Sequence, residues 1–390
     1  MIPYTSFSYF AWLLYPIIPS VVLGVLGRLS RYWLFAVTVI VLIAQYAEPA
    51  PTILGATVPV LALVAGYALF QYALTLVFLR VRVARGKQRL WFYGTVALSL
   101  IPLVVVKVAP LTGAEALIGF LGISYVSFRA LDVIIGIQDG LIKTLAPLQY
   151  FTFLLFFPTI SSGPIDRYRR FERDWNHQRT RADFINDLDA GIHKIFMGFL
   201  YKFILAYLIK QYWLDPVSAG SDWLSTISYM YAYSFYLFFD FAGYSLFAIG
   251  VSNFLGIHTP DNFHRPFLSA NMQEFWNRWH MSLSYWFRDH IYARFLMAAT
   301  RGKWFRSKYL ASYLGFLLTF GLMGMWHGLQ WHYIVYGLYQ AVLLILTEWF
   351  GRWNQSHNVW KQTLPWRIAG IVGTFQLICF GFLIFSGKLG

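Results

Sequence analysis

LGFLLTFGLMGMWHGLQWHYIVYGLYQAVLLIL, residues 314–346, joins two long apolar runs through a pair of histidines and contains no Asp, Glu, Lys or Arg. The two runs that it joins, near 309–326 and 329–349, each have about the 20 residues that a helix needs to cross a bilayer. His327 lies between the runs, and an ionisable residue at such depth indicates a functional site. The alternative is a neutral histidine bonded to a neighbouring helix. Gly321, Gly324 and Gly328 are expected to allow close helix approach.

The composition of the whole chain is typical of a membrane protein. Of its 390 residues, 58% are hydrophobic and 12% are charged, and the mean hydropathy is +0.53. A soluble domain carries about 25% charged residues. Only helices and closed barrels satisfy their backbones in lipid, and these runs lack the alternation of barrel strands. The sequence therefore predicts an all-α, polytopic helical membrane protein.

The apolar runs predict about 11 transmembrane helices, together with short interfacial or re-entrant helices. The runs lie near residues 9–27, 33–48, 52–79, 90–107, 114–137, 141–160, 192–213, 226–256, 309–326, 329–349 and 367–386. Pro59 is a candidate break in the third run, and Asp240 is a candidate break in the eighth. No linker or internal repeat divides the chain, so residues 1–390 are predicted to form a single integral-membrane domain.

The formal net charge is +14, and it follows the distribution expected of a membrane protein. Lys and Arg collect in cytoplasmic loops and beside anionic headgroups, so the charge does not indicate a nucleic-acid partner. Arg28 follows the first run and Arg80 to Arg89 follow the third, whereas the loop around Glu48 has no basic residue. This pattern predicts an N-terminus outside and, with an odd number of spans, a cytoplasmic C-terminus.

A second stretch, WNRWHMSLSYWFRDHIY (276–292), is unusually polar and aromatic for this chain. Positions three and four apart share a face of a helix. A single helix here would carry one polar stripe, formed by Asn277, His280, Ser284 and Arg288. Such a helix could line a hydrated cavity, and the alternative is an interfacial anchor helix without chemistry.

Other chemistries have little support. The nine histidines form no HxxxH or HExxH pair and Cys379 is the one cysteine, so no metal site is predicted, with intramembrane haem as a minor alternative. There is no P-loop, GxGxxG or GxSxG motif, so binding of a nucleotide and a hydrolase nucleophile elbow have no support.

A buried neutral histidine suits the role of a base that deprotonates a substrate hydroxyl. A second histidine or an asparagine could stabilise the developing oxyanion by donating a hydrogen bond to it. That is the logic of acyl transfer.

The motif EFWNRWHMSLSYWFRDHIY (274–292), followed by MWHG (325–328), resembles the membrane-bound O-acyltransferase (MBOAT) family. The resemblance extends to FFDFAGYSLFAIGVSNFLGI (238–257), DNFHRPF (261–267) and FFPTISSGPIDRYRRF (156–171), so that it covers a core of about residues 150–330. The motifs are most similar to the branch that D-alanylates teichoic acids in Gram-positive bacteria. In the alginate O-acetylating branch a glycine-rich continuation follows the WFRDY motif, and ARFLMAATRGKW does not match it.

The resemblance implies an MBOAT-type fold and a specific reaction. A D-alanyl carrier protein presents D-alanine as a thioester on its 4'-phosphopantetheine arm at the cytoplasmic side. The enzyme passes it to a hydroxyl and so to lipoteichoic acid outside, with help from a small membrane peptide, and itself binds no cofactor. His327 matches the family's catalytic histidine and is expected to act as general base. His280 matches the second motif histidine, expected to donate to the thioester carbonyl or to line the tunnel.

Two further groups of residues have weaker assignments. Asn277, Ser284 and Arg288 are candidates for a substrate tunnel that orients the arm. An apolar knob inside a basic rim would suit docking of the carrier protein, and ordinary lipid contact is the alternative. The knob is formed by Phe295, Leu296 and Met297, and the rim by Arg294, Arg301 and Lys303. Two other functions stay open: O-acylation of another extracellular polysaccharide, and transport, since polar stripes also line permeation paths.

Overall fold

The computed structural model describes residues 2–389 except 48, 54–55, 114–117, 358 and 362. The helices before residue 180 are Phe7–Val25, Arg31–Gln45, Val60–Arg85, Arg89–Val108, Ile123–Asp139, Pro147–Leu154 and Tyr168–Asn176. The later helices are Arg181–Ser218, Trp223–Phe254, Met272–Trp276, Met281–Phe287, Ala293–Arg301, Lys308–His327, Trp331–His357 and Leu364–Phe385. The strands Pro49–Ile53 and Ala56–Pro59 pair antiparallel. Helix makes up 78% of the structure, which confirms the all-α prediction.

Within the described residues, eight helices are long and apolar enough to cross a membrane. These eight helices coincide with eight of the about 11 predicted runs. The other three predicted runs form helices of fewer than 18 residues: Arg31–Gln45, which is also apolar, with 15, Ile123–Asp139 with 17 and Pro147–Leu154 with 8. The chain is a multi-pass membrane protein that also contains shorter helices.

The chain forms two compact units. The first contains residues 1–198 and 244–260, and the second contains residues 199–243 and 261–390. Both histidines of the predicted site, His280 and His327, belong to the second unit. A single domain over the whole chain stays a prediction.

In the first unit, a buried arginine lies at the end of the helix Pro147–Leu154. Arg129 is 1% exposed, and its guanidinium donates to the carbonyl oxygens of Phe153 and Leu154, each at 3.1 Å. The last carbonyls of a helix have no partner within it, and lipid supplies none. Because Arg129 satisfies them, the helix can end at Leu154, and the apolar run at 141–160 does not form a span.

In the second unit, Asp240 lies within the helix Trp223–Phe254, which continues unbroken for 32 residues. Its carboxylate accepts a hydrogen bond from Nζ of Lys202. A charge within a membrane helix is tolerated when it is paired, so the helix does not have to end there. The expected break at Asp240 is wrong. Pro59, in contrast, immediately precedes the helix Val60–Arg85, as a break in the third run predicts.

The Lys202–Asp240 pair provides a test of this explanation. Asp240→Leu alone leaves the ammonium without its partner, so we expect it to destabilise the protein more than the double variant with Lys202→Met. The side chains are 12% and 36% exposed, so the coupling energy should fall in the lower part of the range of about 0.5–3 kcal/mol. Denaturation of the purified wild type, both single variants and the double variant in detergent measures it. A coupling energy of zero would contradict a stabilising pair.

Candidate functional site

The segment around His280 is broken into short helices. The helix Met272–Trp276 ends before a turn at residues 277–280, and the helix Met281–Phe287 begins after it. His280 has a φ of 41°, in the left-handed region that a side chain disfavours. The single polar stripe expected on one helix over 276–292 is therefore wrong.

Asn262 holds this turn from a neighbouring segment. Its backbone carbonyl accepts the N–H of Met281 at 2.9 Å. Its side-chain Oδ1 accepts the backbone N–H of Ser282 at 3.3 Å and the Ser282 hydroxyl at 2.6 Å, and lies 3.3 Å from Nδ1 of His280. These bonds are formed away from water, since Asn262 is 1% exposed. Sequence reasoning missed Asn262, although the DNFHRPF motif (261–267) contains it.

The aromatic rings of the segment pack inside the second unit. Trp279 is buried, and its ring lies 5.0 Å from that of Phe263 and 4.8 Å from that of Phe382, centroid to centroid. Trp276 is also buried and donates from Nε1 to Oε1 of Gln340 at 3.3 Å. An interfacial anchor would present these rings to lipid, so the burial contradicts the interpretation of the segment as a simple anchor helix.

His280 is buried and neutral. Its side chain lies edge-on to the ring of Phe241, with centroids 4.7 Å apart. Burial, and after it the charge of His327, lowers the pKa of His280 to about 3. An imidazole with this pKa carries no charge at neutral pH. The two predicted histidines therefore lie within electrostatic range of each other.

His327 is the last residue of the helix Lys308–His327, which we call the His327 helix. Its side chain is half-buried and contacts the ring of Phe385 edge-on at 5.0 Å and that of Tyr333 at 6.2 Å. A histidine that is partly accessible within apolar surroundings can exchange a proton with a bound substrate.

Glycines bring the His327 helix and the helix that follows it into backbone contact. A Cβ at Gly324 would lie 2.5 Å from the carbonyl oxygen of Tyr333, and a Cβ at Gly337 would lie 2.3 Å from a carbonyl oxygen of the His327 helix. Carbon and oxygen cannot approach so closely without repulsion. The close approach expected at Gly324 is confirmed, whereas a Cβ at Gly321 would meet no atom within 4 Å.

The remaining tunnel candidates are spread along the broken segment. Ser284 lies one turn after His280 and donates its backbone N–H to the His280 carbonyl at 3.0 Å. Asn277 is exposed, and Arg288 is exposed in an ion pair with Asp289 at 2.8 Å. The structure thus places Ser284 beside His280 and leaves the other two at the surface. Their role in a tunnel stays a prediction.

The residues predicted for carrier docking begin the helix Ala293–Arg301. Met297 is 49% exposed, and Phe295 and Leu296 are half-buried. Trp304, which sequence reasoning did not single out although it ends the quoted ARFLMAATRGKW stretch, is exposed and contacts the ring of Phe295 at 6.0 Å. We define the 293–306 patch by these side chains and the basic residues near them: Arg294, Phe295, Leu296, Met297, Arg301, Lys303, Trp304 and Arg306.

Among the residues that the structure describes, no group of three His, Cys, Asp or Glu side chains could hold a metal ion. The buried Cys379 is a free thiol. The expectation that this chain binds neither a metal nor a cofactor stays a prediction.

Comparisons with known proteins agree with the motifs. The chain is 42% identical to the teichoic acid D-alanyltransferase of Bacillus subtilis (strain 168), with 100% of the chain and 98% of that protein covered. It is 41% identical to the enzyme of that name from Lacticaseibacillus rhamnosus, with 99% and 97% covered. A "probable alginate O-acetylase" of Pseudomonas aeruginosa is 30% identical, over 69% of the chain and 49% of that protein.

A family model also matches most of the chain. The model of the membrane-bound O-acyltransferase family matches residues 62–388. The match includes the turn that carries His280, the end of the helix that carries His327, and the 293–306 patch. With its eight candidate spans and this match over most of its length, the chain belongs to the membrane-bound O-acyltransferase family.

Proposed function

We propose that this protein transfers D-alanine from a carrier-protein thioester to a hydroxyl group, and thereby D-alanylates lipoteichoic acid in the cell envelope. The observation that carries the proposal is that His280 and His327 lie in one unit of an O-acyltransferase, where the charge of His327 acts on His280. Similarity to teichoic acid D-alanyltransferases over the full length of the chain supports D-alanine as the acyl group.

In the proposed reaction, His327 is the general base. The acceptor hydroxyl oxygen attacks the thioester carbonyl carbon while its proton passes to the imidazole of His327. The C–O ester bond forms, the C–S bond breaks, and the proton then moves to the leaving thiolate, so atoms and charge balance without another reactant. His280, buried and neutral beside His327, contacts the acyl group as it reacts.

The acyl donor in this proposal is a D-alanyl carrier protein. Its 4'-phosphopantetheine arm supplies the thioester, so that the membrane chain needs no bound cofactor of its own. The 293–306 patch supports docking, because the exposed side chains of Met297 and Trp304 lie near exposed basic residues. An apolar centre with a charged rim is the usual anatomy of a protein interface. Carrier proteins are acidic, so the net charge of +14 favours association.

The acceptor side of the proposal rests on the family resemblance. Lipoteichoic acid is the final acceptor, and a small membrane peptide acts with the enzyme. Because the chain lies in the bilayer, both have access to it from the membrane. The direct acceptor is the hydroxyl of either one.

Two alternatives receive less support. O-acylation of another extracellular polysaccharide would agree with the likeness to alginate O-acetylases, but that likeness covers only 69% of the chain. Transport would use polar groups along a membrane passage. It would not require a base beside a second buried histidine.

We propose an N-terminus outside the cell and a C-terminus in the cytoplasm. Arg28 lies between the first two helices, and Lys87 lies in the connection between Val60–Arg85 and Arg89–Val108. Basic residues beside spans favour the cytoplasmic side. The eight candidate spans and the shorter Arg31–Gln45 helix would together cross the membrane an odd number of times.

His327→Ala tests the catalytic assignment. Loss of a general base should reduce D-alanyl incorporation by about 10²–10⁴-fold in membranes reconstituted with carrier thioester and lipoteichoic acid, while carrier pull-down stays unchanged. His357→Ala is the matched control, since His357 is exposed at the far end of the helix Trp331–His357. Full incorporation by His327→Ala would disprove the assignment, and acceptor flux without acyl product would favour transport.

Met297→Asp tests the docking surface. A carboxylate in the apolar centre of an interface is costly to desolvate and would repel an acidic partner, so we expect carrier pull-down to be lost. Gln330→Asp adds the same charge at an exposed position outside the patch and should bind normally. Arg301→Glu should weaken binding most at low salt. Normal carrier binding by Met297→Asp would remove the patch from consideration.

Cysteine labelling tests the orientation, because the native Cys379 is buried and can be replaced by Ser. In that background a membrane-impermeant maleimide should label Thr5→Cys on intact cells. Lys87→Cys should react only after the membrane is permeabilised. Both positions are exposed on the protein, so a lack of reaction reports the membrane barrier. The opposite labelling pattern would invert the proposed topology.

A further inference from the structure

The hydrogen bonds around Asn262 determine which ring nitrogen of His280 carries the proton. A backbone N–H can only donate, so the Asn262 atom that faces the Ser282 N–H at 3.3 Å is the carbonyl oxygen Oδ1 and not the amide nitrogen. An amide oxygen can only accept. Nδ1 of His280 lies 3.3 Å from the same oxygen, and it must therefore be the donor.

The protonation state of His280 completes the assignment. A neutral imidazole carries one N–H, so a proton on Nδ1 leaves Nε2 with a lone pair. His280 is neutral because burial and then the charge of His327 lower its pKa to about 3. The ring packs edge-on against Phe241, which favours the orientation with Nδ1 towards Asn262.

We propose that Asn262 is a positioning residue that fixes His280 as the Nδ1–H tautomer and presents Nε2 as a hydrogen-bond acceptor to the acyl group. This inference deepens the proposed D-alanyl transfer and, for its substrate, rests on it. A D-alanyl thioester carries an α-ammonium group, which is a strong N–H donor. Nε2 receives this ammonium. Donation to the thioester carbonyl, the role expected from sequence, would need a proton that Nε2 does not hold.

The spectrum of the wild-type protein tests the tautomer directly. In the full chain in bilayers with ¹⁵N-labelled histidine, a difference spectrum against His280→Gln isolates the His280 ring. We expect a protonated Nδ1 and an unprotonated Nε2, and Asn262→Leu should abolish this preference. A protonated Nε2 in the wild type would overturn the proposal. The measurement needs no turnover, so its failure is distinguishable from a failure of the proposed function.

A pH profile separates a positioning role from a merely structural one. Asn262→Asp keeps the acceptor, but its carboxylate favours the protonated imidazole and raises the pKa of His280. Below the raised pKa, Nε2 carries a proton and transfer should be lost. Above it, the ring is neutral and transfer should recover. The diagnostic quantity is the difference between the variant and wild-type profiles.

Two companion variants complete the pH experiment. Asn262→Leu removes the acceptor and should lower transfer at every pH by about 10–100-fold, the usual cost of removing a group that orients a functional histidine. Ser269→Ala is the control. Its hydroxyl donates to Pro266 at 2.7 Å in the same segment and does not touch His280. A wild-type profile in Asn262→Asp, or full activity in Asn262→Leu, would overturn the positioning role.

A substrate without the amine tests the assignment of the ammonium. A propionyl thioester on the same carrier has the carbon skeleton of D-alanine but no nitrogen. Asn262→Leu should therefore reduce D-alanyl transfer by a larger factor than propionyl transfer. An equal reduction of both would show that Nε2 does not receive the ammonium.

Discussion

The hydrogen bonds that converge on Oδ1 of Asn262 are the interaction on which the candidate site depends. A left-handed backbone costs a residue with a side chain about 1–2 kcal/mol, and His280 adopts one. Bonds to Ser282 and to His280 itself offset that cost. Without the turn, the helices on either side could join into one. With it, His280 and the rings of Trp276 and Trp279 lie inside the second unit.

Features set by short-range pattern could be predicted from the sequence. Hydrophobic length identifies the spans around His327, and the motifs identify the family. The position of His327 between two apolar runs corresponds to the end of one helix and the approach of the next. The small residue at Gly324 likewise marks the contact between these helices. In each case the decisive residues lie within a few turns of each other.

Features set by a distant partner could not be predicted in this way. Asp240 looks like a helix break until its partner Lys202 is known. The run at 141–160 looks like a span until Arg129 is seen to satisfy its carbonyls. The polar stripe assumed one continuous helix, and only the bonds from Asn262 reveal why the helix breaks. In all three segments the structure depends on a residue that is distant in sequence.

The glycine contact between the His327 helix and its successor has a consequence for how the enzyme can move. Backbones that touch at Gly324 and Gly337 leave no layer of side chains to slide or change rotamer. The two helices form a stiff hairpin with His327 at its bend. In the proposed reaction, gating that admits the thioester arm would then come from other elements. The reacting carbon would be brought to a stationary imidazole, so that the rate of opening could evolve without disturbing the proton transfer.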